Sequence, residues 1–145
     1  MQSLTIGKPS AYLRLTTVQP LPDVPPKYAP QLERRYLNAE LQVGDLSAKC
    51  RLDLLEDYGG LVQFFDQVAA GWHEWNNSSA VWGLHGGLQL ELRRGPRPAL
   101  GPDHLQLGIN LQDGGRRTFW GAETLLVISP EELDAFVRDL HQLNA

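Results

Sequence analysis

The sequence predicts an α+β fold: one mostly antiparallel sheet of about six to seven strands with two α-helices packed on it. Three observations carry this reading. Short runs place apolar residues at every second position, and the turns joining them are too tight for parallel crossovers. Two other stretches switch to a period of 3.6. The order is β-β, β-β, α, β-β-β, α, which puts the helices on an antiparallel sheet rather than between parallel strands. A chain of 145 residues buries roughly 68–70% of its unfolded surface as one domain, so its core needs no disulfides. Residues 1–145 are read as that single domain.

The first two strands are Ser3-Leu4-Thr5-Ile6 and Tyr12 to Val18, split by the turn Gly7-Lys8-Pro9-Ser10. Residues 19–31 form a loop, because Pro20, Pro22, Pro25, Pro26 and Pro30 cannot donate hydrogen bonds to a ladder. A hairpin follows. Leu37, Ala39, Leu41 and Val43 share one face of its first strand; Leu46, Ala48, Cys50, Leu52 and Leu54 share one face of its second, across Gly44-Asp45. A slip of one residue would turn every leucine outward, so the register is strongly specified. Asn38, Glu40, Gln42, Lys49, Arg51 and Asp53 face water.

At Gly59-Gly60 the period changes. Leu61, Phe64, Phe65, Val68 and Trp72 fall on one face of a helix, with Asp57 as its N-cap. Asn76-Asn77-Ser78-Ser79 ends the pattern in a loop. Leu88, Leu90 and Leu92 alternate, as do Leu105, Leu107, Ile109 and Leu111. Thr124-Leu125-Leu126-Val127-Ile128, nearly all apolar, reads as a central strand. Ser129-Pro130-Glu131-Glu132 is a helix start with Ser as N-cap, Pro at N1 and Glu closing a capping box. Leu133, Phe136, Val137, Leu140 and Leu143 form the apolar stripe of that last helix.

Several function classes are disfavoured. Thirteen basic against 17 acidic residues give a net charge of −4, unlike the strongly basic face of a sequence-independent nucleic-acid binder. No apolar run approaches the ~20 residues that cross a bilayer. Met1 to Ser10 lack the basic and apolar regions of a signal peptide, so the expected compartment is the cytoplasm. The skew toward arginine over lysine and leucine over isoleucine is typical of GC-rich coding and points to a bacterial host. With one cysteine, Cys50, there is no internal disulfide, and its alternating position makes it a small buried hydrophobe. Gly59-Gly60 and Gly86-Gly87 lack a phosphate loop's Gly-Lys-Ser/Thr, and no dinucleotide fingerprint or nucleophile elbow occurs. His73, His85, His104 and His141 are too scattered for a local metal site. No catalytic residue, cofactor or metal is expected; an enzyme would require His85 or His104 to meet a carboxylate in a cleft.

Two groups are candidates for binding. Trp72, Trp75, Trp82 and Trp120 read mainly as packing, with Trp75 the member expected to be most exposed and able to anchor an interface. Arg93, Arg94 and Arg97 in one connector, and Arg116 and Arg117 in another, would form a basic patch if neighbouring hairpins brought them together. The candidate interaction surface is therefore Trp75, Trp120, Arg93, Arg94, Arg97, Arg116 and Arg117.

Leu54-Leu55-Glu56-Asp57-Tyr58-Gly59-Gly60-Leu61, Phe64-Phe65, the Trp72, Trp75 and Trp82-Gly83 spacing and Gly87-Leu88-Gln89-Leu90 resemble a bacterial family common in actinobacteria, a domain of unknown function. The likeness runs from about Arg34 to the last helix and implies no catalytic residues. More remotely, in length, element order and its Ser-Pro-Glu-Glu-Leu helix, the chain is similar to WapI-type immunity proteins, which neutralise toxins. The expected function is thus a non-enzymatic protein-binding domain with a protein partner, such as a toxin. Outward carboxylates such as Glu40, Asp53 and Glu91 would face a basic partner surface. The alternative is a homo-oligomer holding a small anionic or aromatic ligand with Trp75, Trp120 and the loop arginines.

Overall fold

The structure, a computed structural model, describes residues 2–18, 25, 27, 35–55, 58–83, 87–96, 103–114 and 119–144. Strands β1 (Ser3–Lys8), β2 (Ala11–Thr17), β3 (Tyr36–Val43) and β4 (Leu46–Asp53) form one four-stranded antiparallel meander. Helix α1 (Gly59–Gly71) and a 3-10 turn (Trp72–Glu74) follow. Strands β5 (Ser79–Gly83), β6 (Leu88–Arg94), β7 (Leu105–Gly114) and β8 (Phe119–Ile128) make a second four-stranded antiparallel meander, and helix α2 (Pro130–Asn144) ends the chain. The α+β class and the antiparallel pairing hold. The single sheet of six to seven strands does not: among the described residues, eight strands divide evenly between two sheets. Four strands and a helix are followed by four strands and a helix, although the sequence shows no repeat.

The additional strand is β5, which pairs with β6 from Ser79↔Arg93 to Gly83↔Gln89. Its polar approach, Asn76-Asn77-Ser78-Ser79, obscured it. β8 is also corrected. It is an edge of its sheet rather than a central strand. Leu126 and Ile128 are buried, whereas Leu125 and Val127 project to the open side.

Local chemistry explains the well-read elements. Gly7, at φ +120°, has no room for a side chain: a Cβ there would lie 2.4 Å from the carbonyl oxygen of Ala11. Gly44, at φ +57°, opens the two-residue turn between β3 and β4. The start of α2 is the expected capping box, with Ser129 Oγ accepting from the Glu132 N–H and Glu132 Oε1 accepting from the Ser129 N–H, both at 3.1 Å. The expected cap of α1, Asp57, lies outside the described residues. Tyr58 occupies the N-cap position without a side-chain cap bond.

The inner faces of both sheets and the stripes of both helices form one continuous apolar core. Phe65 of α1 meets Phe136 of α2 at 4.8 Å between ring centroids. β8 runs across the end of the first sheet. At one end Lys8 Nζ donates to the Val127 carbonyl at 3.4 Å and pairs with Glu132 at 3.1 Å; at the other, Leu46–Lys49 border Trp120–Ala122. With the core covered on these sides, each sheet presents one outer face to solvent, and the two faces differ sharply in chemistry.

Candidate functional site

The outer face of β1–β4 is polar, and its carboxylates Glu40 and Asp53 are paired within the chain. Arg14 lies 3.9 Å from Glu40 and stacks over Tyr12 at 4.6 Å, while the Tyr12 hydroxyl donates to Glu40 at 3.4 Å. Arg51 lies over the Tyr36 ring. Asp53 accepts both Arg35 donors, at 2.6 and 2.8 Å, and this pair holds the Asp53 carboxyl below its usual range. Glu40 and Asp53 therefore point outward as expected, but each is already matched by a cation of the same chain.

The outer face of β5–β8 is different. Val81 is 67% exposed, Phe119 71%, Leu125 57% and Val127 55%. All four occupy outward positions of this one sheet. Alternation places them there: each inward neighbour is a core residue, so each outward apolar side chain is left in water. The register aligns Val81, Glu91, Gly108 and Leu125 in one row across the four strands. Ser79, Arg93, Gln106 and Val127 form the row on one side; Gly83, Gln89, Asn110 and Glu123 form the row on the other. Because Gly108 contributes no side chain, the middle of the face is hollow, a depression of 420 Å³. A contiguous apolar patch rimmed by polar groups marks an interaction surface; here Leu125 and Val127 adjoin on the outer side of β8, with Val81 at the far end of the row.

Of the residues singled out from the sequence, the described ones take separate places. Arg93 is exposed on this outer face and pairs with Glu91. Arg94, its neighbour in β6, points the other way, as strand alternation requires. Its side chain is only 10% exposed. It donates to the His73 carbonyl, reaches Asp103 at 3.0 Å and lies 5.8 Å from the Trp72 ring centroid. Arg94 thus ties the 3-10 turn to β6 and the approach to β7. Trp72 is fully buried, and Trp75, Trp82 and Trp120 are half-buried against the core. Trp75, expected to be the most exposed of the group, is half-buried like Trp82 and Trp120. Arg97, Arg116, Arg117 and His85 lie outside the described residues.

The described histidines take packing and surface places. His104 packs its ring on Gly95, where any Cβ would collide with the imidazole. His141 meets Asp66 at 2.7 Å on the surface between the helices. Among the described residues, no group of three or more His, Cys, Asp or Glu could hold a metal ion. Half-burial, reinforced by the charge of Asp113, pushes the Cys50 thiol up to about 11, which keeps it protonated at neutral pH. No described helix is long and apolar enough to cross a membrane. Comparison of the chain with protein-family models and with curated proteins gives no match.

The exposed face of β5–β8 is the one functional candidate that sequence reasoning missed. Its signal was present: Leu125 and Val127 interrupt alternation with outward apolar residues. That pattern was attributed to burial on both sides.

Proposed function

We propose that this chain is a non-enzymatic, cytoplasmic protein-binding domain that docks a protein partner on the outer face of β5–β8, as an immunity protein would dock the toxin it neutralises. The observation that carries the reading is the contrast between the two outer faces. One is polar, with Glu40 and Asp53 paired to arginines of the same chain, and the other leaves Val81, Phe119, Leu125 and Val127 in water, Val81 and Leu125 lining a hollow. Covering such side chains is favourable by about 25 cal/mol per Å² of apolar area removed from water.

The test is affinity capture from the producing cells followed by cross-link mapping, with three versions of the chain. Wild type is expected to retain one stoichiometric partner, cross-linked to β5–β8. Leu125→Asp with Val127→Asp should lose it, and Lys49→Glu on the opposite sheet should keep it. For a toxin partner, co-expression should protect cells only when the face is intact. A partner retained by the double variant, or cross-linked to β1–β4, would overturn the assignment. Light scattering on the purified chain identifies the competing case, a homodimer formed through the same face.

A further inference from the structure

The hollow over Gly108 contains a more specific instruction about the partner. A central strand favours a side chain at this position, and glycine weakens it. Backbone geometry does not require the glycine, because only Gly7 and Gly44 among the described glycines have positive φ. Space does not require it either. A Cβ on Gly108 would make ordinary contacts, at 3.6 Å to the Glu91 carbonyl oxygen and 4.0 Å to a Leu125 methyl group. The fold would accept a side chain, and its absence is what opens the depression.

The walls of the depression define a shape and a charge. Val81 and Leu125 stand at the two ends of the row through Gly108 and offer apolar contact. In the next row Gln89, Asn110 and Glu123 carry carboxamide and carboxylate oxygens. Arg93 is the only cation of the lining, and it is paired with Glu91. Glu123 has no ion-pair partner among the described residues. The uncompensated charge of the hollow is therefore negative, which disfavours an anion, and its polar row disfavours a purely aliphatic occupant.

We propose that this hollow receives an arginine side chain of the docked protein, with its stem lying over Gly108 between Val81 and Leu125 and its guanidinium at Glu123 and Asn110. This rests on the docking reading above. Arginine fits better than lysine because its planar fork donates to adjacent oxygens at once, and because its weaker hydration lowers the cost of partial burial.

The experiment is an amide chemical-shift titration of the full chain with N-acetyl-arginine methylamide, using the uncharged citrulline analogue as the control. The arginine compound should shift Val81, Gly108, Glu123 and Leu125 together. Citrulline, and arginine with Glu123→Gln, should bind about tenfold more weakly, as expected for loss of one charge-assisted contact. Gly108→Val should abolish the shifts while its remaining spectrum stays that of the folded chain. Shifts that are equal for citrulline, indifferent to Glu123→Gln or spread over other acidic residues would overturn the proposal. The two readings separate in the capture assay. If partner capture is lost with the Leu125/Val127 double variant but unchanged by Glu123→Gln, the docking face stands and the arginine site falls. If neither variant affects capture, both fall.

Discussion

Asp53 Oδ1 accepts the backbone N–H of Leu55 at 2.9 Å, and Leu55 sits at φ +68° with 70% of its surface exposed. The same carboxylate is fixed by both Arg35 donors. This is a side-chain turn in which an aspartate, itself held by a salt bridge, bends the chain as it leaves β4. The left-handed conformation costs a branched residue about 1–2 kcal/mol, a cost that glycine avoids. Leu55→Gly should therefore raise stability by about 0.5–1 kcal/mol after allowing for glycine's greater unfolded-state entropy. The denaturation midpoint should rise with its slope unchanged. A lower midpoint would show that the exposed leucine makes contacts that outweigh its strain.

Two carboxylates should make the chain sensitive to acid. The Arg35 pair lowers the Asp53 pKa, with the Leu55 N–H assisting despite a burial cost. At Glu132 burial pushes the pKa up, but the Ser129 N–H and hydroxyl and the Lys8 ammonium together bring it below its usual value. A depressed folded-state pKa means the unfolded chain binds more protons, so stability rises with pH through that window. These contributions are present above the ordinary carboxylate range, about 3.9–4.3. They are lost as pH falls through the lower folded-state values. Urea titrations across that interval should show a shallower acid-side slope for Asp53→Asn and Glu132→Gln than for wild type. Parallel slopes would remove these groups as its source.

Adjacent arginines should behave in opposite ways. Arg93→Ala removes an exposed pair with Glu91 and should change stability by no more than about 0.5 kcal/mol. Arg94→Ala removes a side chain packed beside Trp72 and holding both the His73 carbonyl and Asp103. Its loss should cost about 1–2 kcal/mol, since the buried stem beside Trp72 loses its packing together with two hydrogen bonds to exposed acceptors. It should also alter the fluorescence of Trp72. Equal effects at the two positions would contradict opposite roles for the two side chains.

Cys50 should react as a shielded thiol. Its Sγ lies 3.8 Å from the Gln112 carbonyl oxygen, across the junction of the two sheets. With its pKa pushed up to about 11, little thiolate exists at neutral pH. A disulfide-exchange reagent should modify the folded chain slowly and the urea-unfolded chain fast. Rapid, complete modification under native conditions would show that this junction opens readily.

Local chemistry made much of the fold legible in the sequence. The β3–β4 hairpin followed from Gly44-Asp45 between two alternating runs, and the start of α2 from Ser129 and Glu132. Division into two sheets was not legible, because no short-range pattern records which strands from distant parts of the chain become neighbours. β5 was missed because five residues following a polar loop give too little alternation. β8 was misplaced because Leu125 and Val127 made it look buried on both faces. That misreading and the missed site share one cause: an apolar residue on an outer face has the same sequence signature as one in a core. The two described arginines of the candidate group separate for a different reason. Strand alternation sends Arg93 and Arg94 to opposite sides, however close they are in sequence.

Gly108 provides the most direct test of whether the open face is maintained for binding. Its Cβ position is free of clashes, its φ is not positive, and its strand lies in the interior of the second sheet. On folding grounds alone alanine should be better there, by about 0.5–1 kcal/mol, because it reduces the entropy of the unfolded chain and suits a strand. Gly108→Ala should therefore raise the melting temperature and, by narrowing the hollow, weaken capture of the partner. Gain of stability with loss of binding would identify glycine as a concession to the interface. Gain of stability with unchanged capture would place the contact elsewhere on β5–β8, and a destabilised variant would mean the glycine serves the sheet itself.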